Sequence, residues 1–257
     1  MYPVIGRIGG LEITSFGLMV ALGFLAGIWV FGRELRRSGL PPNLENAALV
    51  GAVGGMLGAK VVWAIEFSGQ APVADLLFSR AGLSWSGGLG GGIGAGIAAI
   101  LYMRAPLIPT LAAATPALAI GHMLGRIGCF LVGDDYGRPS DLPWAVAFPL
   151  GAPPTDVPVH PTQIYEALFL AGLAWMLMRA RRTGTTDSTV LGLYLLLAGG
   201  FRFLVEFIRV NEPILMWLTL AQIFALIIVA VGAALVLHPG PVARATPAAR
   251  APSLTRR

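Results

Sequence analysis

The chain has 257 residues, 56% of them hydrophobic and 12% charged, with a formal net charge of +5. Soluble domains carry about 25% charged residues, so this composition excludes a soluble globular class and indicates an integral membrane protein. One cysteine, Cys129, excludes an internal disulfide framework, and three histidines without ligand spacing (His122, His160 and His238) leave no metal centre to expect.

In chain order, apolar stretches long enough to cross a bilayer as helices fall near 14–32, 46–65, 85–103, 108–126, 161–178, 189–208 and 218–237. Arg33, Arg36 and Arg37 follow the first, Arg104 the third, and Arg179, Arg181 and Arg182 the fifth; Arg244, Arg250, Arg256 and Arg257 follow the seventh. Eleven of the 18 basic residues thereby share one side, which the positive-inside rule makes cytoplasmic. The expected fold is an all-α integral membrane protein with seven transmembrane helices, N-terminus outside and C-terminus cytoplasmic. Arginines beside spans, rather than interleaved with aromatics, are topology signals, so no nucleic-acid partner is expected. Positive charges follow the first apolar run instead of preceding it, so that run does not read as a cleavable signal peptide.

Residues 1–238 are expected to form one membrane domain with an extracytoplasmic loop over 127–160; the Pro-, Ala- and Arg-rich tail 239–257 is expected to be disordered. Gly51–Gly55 and Gly54–Gly58 in the second span, and Gly88, Gly92 and Gly96 in the third, recur every four residues, the small-residue spacing of closely packed membrane helices. Leu76–Phe78 is too short to span and is expected to lie on the outer surface.

The polar residues are distributed unevenly in depth. Glu12, Thr14, Lys60, Glu66, Ser84, Ser86, His122, Arg126, His160, Gln163, Glu166, Arg202, Glu206, Arg209 and Gln222 all fall toward the outer ends of the spans, and the inner half is read as nearly featureless. A polar cavity open to the outer leaflet follows, because intramembrane charges are costly and mark functional sites. Arg202, Glu206 and Arg209 at i, i+4 and i+7 share a helix face. With Arg126 they leave positive charge uncompensated by Glu206, and guanidinium forks match phosphate. A phospholipid head group is the ligand this suggests. The competing account is an ion-pair network fixing helix register, which fits a balanced set of charges better than an excess of arginine. Asp134 and Asp135 read either as acid/base groups or as turn formers and arginine partners. His160 reads as a cap or a base, Cys129 as a small packed residue, and Tyr136, Trp144 and Trp85 as an interfacial aromatic belt.

Gly125-Arg126-Ile127-Gly128-Cys129-Phe130, followed by Gly133 and Tyr136-Gly137-Arg138-Pro139, resembles the signature of the bacterial prolipoprotein diacylglyceryl transferase family. His160-Pro161-Thr162-Gln163-Ile164-Tyr165-Glu166 and Phe201-Arg202-Phe203-Leu204-Val205-Glu206-Phe207-Ile208-Arg209 resemble two further elements of that family. Gly17-Leu18-Met19, Gly87-Gly88 and Gln222-Ile223 fall in the same order. The resemblance implies a seven-helix enzyme of the bacterial inner membrane that works without metal or organic cofactor. It would move the diacylglyceryl group of phosphatidylglycerol onto the lipobox cysteine of a preprolipoprotein signal peptide and release glycerol phosphate. Arg126, Arg202, Arg209 and Gly88 would bind the phosphatidylglycerol, surrounded by membrane lipids, and Arg202, Arg126 and Glu206 would be catalytic. Thr14, Phe16, Ser86 and Ala198 depart from the family pattern. Ser86 replaces a histidine or tyrosine and is itself a poor base, so either His160, Asp134, Asp135 or His122 substitutes, or the arginines activate the thiol and no base is needed. The alternative is a divergent paralogue that binds phospholipid with altered or lost transfer.

Overall fold

The computed structural model describes residues 2–9, 11–79 and 82–240. Helices dominate: α1 (Ser15–Arg37), α2 (Glu45–Glu66), α3 (Val73–Phe78), α4 (Trp85–Tyr102), α5 (Leu107–Val132), α6 (Thr162–Arg182), α7 (Asp187–Val205) and α8 (Leu220–Leu237). Among the described residues, α1, α2, α5, α7 and α8 are long and apolar enough to cross a membrane, α2 counted from Pro42 and α7 to Ile208. Helix α4 is apolar but shorter. Helix α6 is long enough, but Gln163 and Glu166 open it and Arg179, Arg181 and Arg182 close it. The tail expected to be disordered lies outside the described residues from 241 onward.

Two small antiparallel hairpins were not foreseen in an all-α reading. Strands β1 (Val4–Ile8) and β2 (Leu11–Thr14) pair before α1, and Arg7 meets Glu12 across the hairpin at 2.6 Å. Strands β3 (Val146–Phe148) and β4 (Thr155–Val159) pair within the loop after α5. The Thr14 hydroxyl then caps α1 by accepting from Gly17 N at 3.1 Å.

Helix α5 runs to Val132, beyond the end expected at residue 126. A charge in an apolar run reads as a boundary, but Arg126 is buried and paired, so the helix continues past it. Gly133 ends the helix at φ +75°, and the amides of Gly133 and Asp134 both donate to Cys129 O. Pro116 stands inside α5 and lacks the N–H that would reach Ala112 O. The Thr115 hydroxyl donates there instead at 2.9 Å, so the carbonyl is not left bare in an apolar setting.

Small residues set how closely the helices approach. Helices α2 and α4 are packed through Gly51, Gly54, Gly55 and Gly58 against Gly87, Gly88, Gly91 and Gly92. A Cβ on Gly91 would run into Gly54 O, whereas one on Gly90 meets nothing within 4 Å. Gly23 of α1 faces the carbonyl of Gly121 in α5, and Gly192 of α7 faces Gly232 in α8. The buried cores join Leu170, Leu173 and Leu177 of α6 to Val190 and Leu191 of α7, and Val30, Phe31 and Leu35 of α1 to Ala113 and Ala117 of α5. Large apolar side chains such as Leu25, Met56, Leu57, Leu168 and Trp175 point outward and are exposed. An outer surface this apolar is what lipid, and not water, solvates.

Gly91→Ala is expected to push α2 and α4 apart and destabilise the protein by about 1–3 kcal/mol. Gly90→Ala should be neutral or slightly stabilising, since alanine is the better helix former by about 1 kcal/mol. Thermal unfolding of the two variants in detergent measures the contrast; equal melting temperatures would remove the glycine contact from the account.

Candidate active site

The site forms where the last two turns of α5, the first turns of α6, the end of α7 and the start of α8 meet. Arg126 comes from α5 and Glu166 from α6, forty residues apart. Arg126 Nε donates to Glu166 Oε2 at 2.8 Å and Nη2 to Oε1 at 2.6 Å, a two-pronged pair in which both side chains are buried. Arg126 Nη1 donates to Asp135 Oδ2 at 2.8 Å and approaches Cys129 Sγ at 3.6 Å. Arg209 donates from Nη2 to the other Asp135 oxygen at 2.7 Å and from Nη1 to Glu166 Oε1 at 3.5 Å. Asp135 thus bridges two guanidiniums with one carboxylate.

Helix α7 ends at Val205 and tightens into a 3-10 turn over Glu206–Ile208. Glu206 Oε2 lies 2.5 Å from Arg202 Nη1 and 3.7 Å from Arg209 Nε. These are ion pairs without hydrogen-bond alignment, for none of the three atoms has a hydrogen-bond partner. Glu206 Oε1 accepts from Asn211 Nδ2 and Thr219 Oγ1, each at 2.7 Å. Thr219 and Gln222 close a capping box at the start of α8, which holds that hydroxyl in place. Of the three arginines Arg202 is the most open, with 27% of its side chain exposed.

The expected surplus of positive charge is corrected by this geometry. Arg126, Arg202 and Arg209 face Glu166, Glu206 and Asp135, so three guanidiniums meet three carboxylates. Glu166 supplies the missing compensation; its place in the His160–Glu166 motif was the signal for it, though spacing alone could not pair it with Arg126. The expectation of a featureless inner half is also corrected: Glu34 is 1% exposed and its side chain takes Arg181 Nε at 2.9 Å, at the far ends of α1 and α6.

The loop over residues 133–161 closes the site. Gln163 Nε2 donates to Asp134 O at 2.5 Å and Thr162 Oγ1 to Asp135 O at 2.9 Å, so the two aspartates are tied by their backbones to α6. Asp135 holds φ +59°, a left-handed conformation that aspartate tolerates better than most residues. Gly137 sits against Ile208 O, where a Cβ would stand 2.6 Å from that oxygen, and its amide donates to His160 O at 2.9 Å. Burial pushes the Asp135 carboxyl up, but Arg209 and Arg126 outweigh it and hold it below the usual carboxylate range. Asp134 goes the other way. Burial raises its carboxyl; the nearby Cys129 thiol opposes this while the Asp135 charge adds to it, and its Oδ1 has no hydrogen-bond partner.

The other expected site residues are not hydrogen-bonded into this cluster. His122 is exposed on α5 one turn before Arg126, within electrostatic reach of Arg126, Glu166 and Arg202. His160 Nδ1 faces Tyr165 OH at 3.4 Å and its ring meets that ring edge-on. Ser86 is hydrogen-bonded to Ser84 at 2.9 Å, and Ser84 donates to Glu66. Gly88 lies in the α2–α4 contact, against Ala59 and Gly55. Tyr136 stacks on Phe148 at 5.4 Å and donates to Pro153 O at 2.6 Å. Trp144 is exposed and donates to Tyr165 OH at 2.7 Å. The side chain of Trp85 lies outside the described residues.

The family model described as "Prolipoprotein diacylglyceryl transferase" matches residues 3–238. A protein of Methylococcus capsulatus named phosphatidylglycerol–prolipoprotein diacylglyceryl transferase is 37% identical over 244 residues, covering 87% of this chain and 90% of its own length. A protein of the same name from Nitratidesulfovibrio vulgaris is 34% identical and covers 94% of this chain and 97% of its own. Another from Geobacter sulfurreducens is 34% identical and covers 82% of each.

Glu166→Leu leaves Arg126 a buried charge without its two-pronged partner and is expected to cost about 3–5 kcal/mol of stability. The double substitution Arg126→Leu with Glu166→Leu should recover most of that loss. Melting temperatures of the single and double variants decide; a double variant as unstable as the single would count against the pair.

Proposed function

The chain belongs to the prolipoprotein diacylglyceryl transferase family, and on that premise we propose that it is a phosphatidylglycerol–prolipoprotein diacylglyceryl transferase of the bacterial inner membrane. The reading of a divergent paralogue without transfer is not favoured, given relatives of that name along nearly the whole chain. The substrates are phosphatidylglycerol and the lipobox cysteine of a preprolipoprotein signal peptide. The chain crosses the membrane seven times, α4 and α6 included, and the arginine–carboxylate site faces the extracytoplasmic leaflet. The apolar outer surface and the basic residues clustered at the opposite helix ends support this orientation.

The observation that carries the mechanism is the Asp135 carboxylate shared between Arg126 and Arg209. It is 47% exposed on its side chain, and its two oxygens stand where two oxygens of a phosphodiester would meet the same donors. The lipid phosphate replaces Asp135 there, held by Arg126 and Arg209, while Glu166 and Glu206 keep those arginines oriented. The peptide thiol then attacks the glycerol carbon that carries the phosphodiester. A carbon–sulfur bond forms, the carbon–oxygen bond breaks, and glycerol phosphate departs with the bonding electrons. Arg202, the most accessible guanidinium, stabilises the charge growing on that phosphate. Asp134, with its raised carboxyl and a free buried oxygen, takes the thiol proton.

Radiolabelled phosphatidylglycerol transfer to a lipobox peptide tests these roles. Arg202→Ala is expected to lower kcat about 100-fold or more, and Asp135→Ala to lower KM for the lipid by removing the competing carboxylate. A base works only when deprotonated, so activity should fall as pH drops through the raised Asp134 value, above the usual carboxylate range. Asp134→Asn should abolish that acid limb together with most of the rate. Wild-type rates in Arg202→Ala would sink the mechanism. For topology, single cysteines at Ser140 and Ser38 in a Cys129→Ala background are expected to react with a membrane-impermeant maleimide from outside and from inside the cell, respectively. The reverse pattern would invert the orientation.

A further inference from the structure

A second charged cavity lies at the end of α6 opposite the arginine–carboxylate site. It has a volume of about 500 Å³ and is lined by Glu34, Arg37 and Ser38 of the α1 end and by Arg181 and Arg182 of the α6 end. Its floor is rigid. Arg181 donates from Nε to Glu34 Oε2 at 2.9 Å, from Nη2 to Ser38 Oγ at 2.5 Å and from Nη1 to Asp187 Oδ1 at 3.2 Å. The Arg181 and Glu34 side chains are 6% and 2% exposed.

The rim is different. Arg37 is exposed and reaches Glu34 only at 3.4 Å, and Arg182 is exposed and makes no ion pair or side-chain hydrogen bond among the described residues. The charges do not balance as they do at the other end. Arg37, Arg181 and Arg182 face Glu34 and Asp187, so three positive groups against two negative ones leave one positive charge. A phosphodiester carries one negative charge. The exposed Trp29 of α1 and Trp175 of α6 lie about two turns before the cavity, where aromatic side chains mark the boundary between acyl chains and head groups. The cavity is therefore at head-group depth, and basic pockets between membrane helices on the cytoplasmic side suit anionic lipid head groups.

We propose that this cavity binds the phosphate of an anionic phospholipid of the inner leaflet, gripped by Arg37 and Arg182 above the fixed Arg181–Glu34 floor. The leaflet, though not the binding, rests on the orientation proposed above. Such a lipid would tie the ends of α1 and α6 together, far from the transferring site.

The test is titration of the purified full chain in detergent with dioleoyl phosphatidylserine, an anionic lipid other than the transfer substrate, followed by native mass spectrometry. Dioleoyl phosphatidylcholine is the zwitterionic control. Each basic residue near an anionic membrane surface contributes about fivefold in binding, so Arg37→Ala with Arg182→Ala is expected to bind about 25-fold more weakly. Arg202→Ala should bind phosphatidylserine as the wild type does, and Arg37→Lys with Arg182→Lys should recover most of the affinity. Undiminished binding in the double alanine variant overturns the proposal, as does loss of binding in Arg202→Ala, which would put the lipid at the other site. Displacement by millimolar inorganic phosphate would overturn the lipid in favour of a free anion. Detergent micelles have no leaflets, so these results stand whichever side the topology experiment assigns to the cavity.

Discussion

Three guanidiniums paired with three carboxylates, most of them buried, at one end of an apolar helix bundle are the constraint on which the rest depends. Each such charge is expensive to remove from water, and mutual attraction repays this only when geometry is close and the remaining donors are used. The Arg126–Glu166 pair meets that condition with two short hydrogen bonds. Its partners come from α5 and α6, while Arg209, Glu206 and Asp135 bring in α7 and the loop after α5. The cluster also ties the helices together: removing Glu166 would take from Arg126 its buried two-pronged partner among helices that have little else polar to offer it.

Beneath the cluster, glycine and alanine let the helix backbones come close. Gly23 meets Gly121 between α1 and α5, and Gly192 meets Gly232 between α7 and α8. The buried core of α5 is largely alanine, and bulky apolar residues face outward. In water this inversion would be unstable; in lipid, where no hydrophobic gain comes from hiding leucine, small residues inside are what contact favours. A second buried pair, Glu34 with Arg181, fastens the other ends of α1 and α6. Helix α6 is thus tied by charge at both of its ends, through Glu166 and through Arg181.

A balanced cluster also bears on the proposed mechanism. Arginines with no partner would repel one another and lose their orientation before substrate arrived. Compensated by Glu166 and Glu206, they stand preorganised, and preorganised donors stabilise developing charge without the cost of rearrangement. The exposed position of Asp135 matters for the same reason. In the proposed mechanism a carboxylate that both arginines share, and that solvent can reach, is the anion replaced, whereas the buried Glu166 stays.

Much of this was legible in the residues alone. Composition excludes water as the solvent of the outer surface, arginine asymmetry points to an orientation, and the three motifs containing Arg126, Glu166 and Arg202 identify the family. Glycine spacing in α2 and α4 marks their contact, because a four-residue recurrence puts small groups on one helix face. Partners separated by long stretches of chain were not legible. Glu166 is forty residues from Arg126 and Asp135 is seventy-four from Arg209, and no periodicity connects such positions, so the charge looked unbalanced. The same holds for Glu34, whose match with Arg181 lies 147 residues away. Local rules follow from dihedral angles and side-chain period, which act over a few residues. Which carboxylate neutralises which arginine depends on how whole helices are laid side by side, and only the tertiary structure decided that.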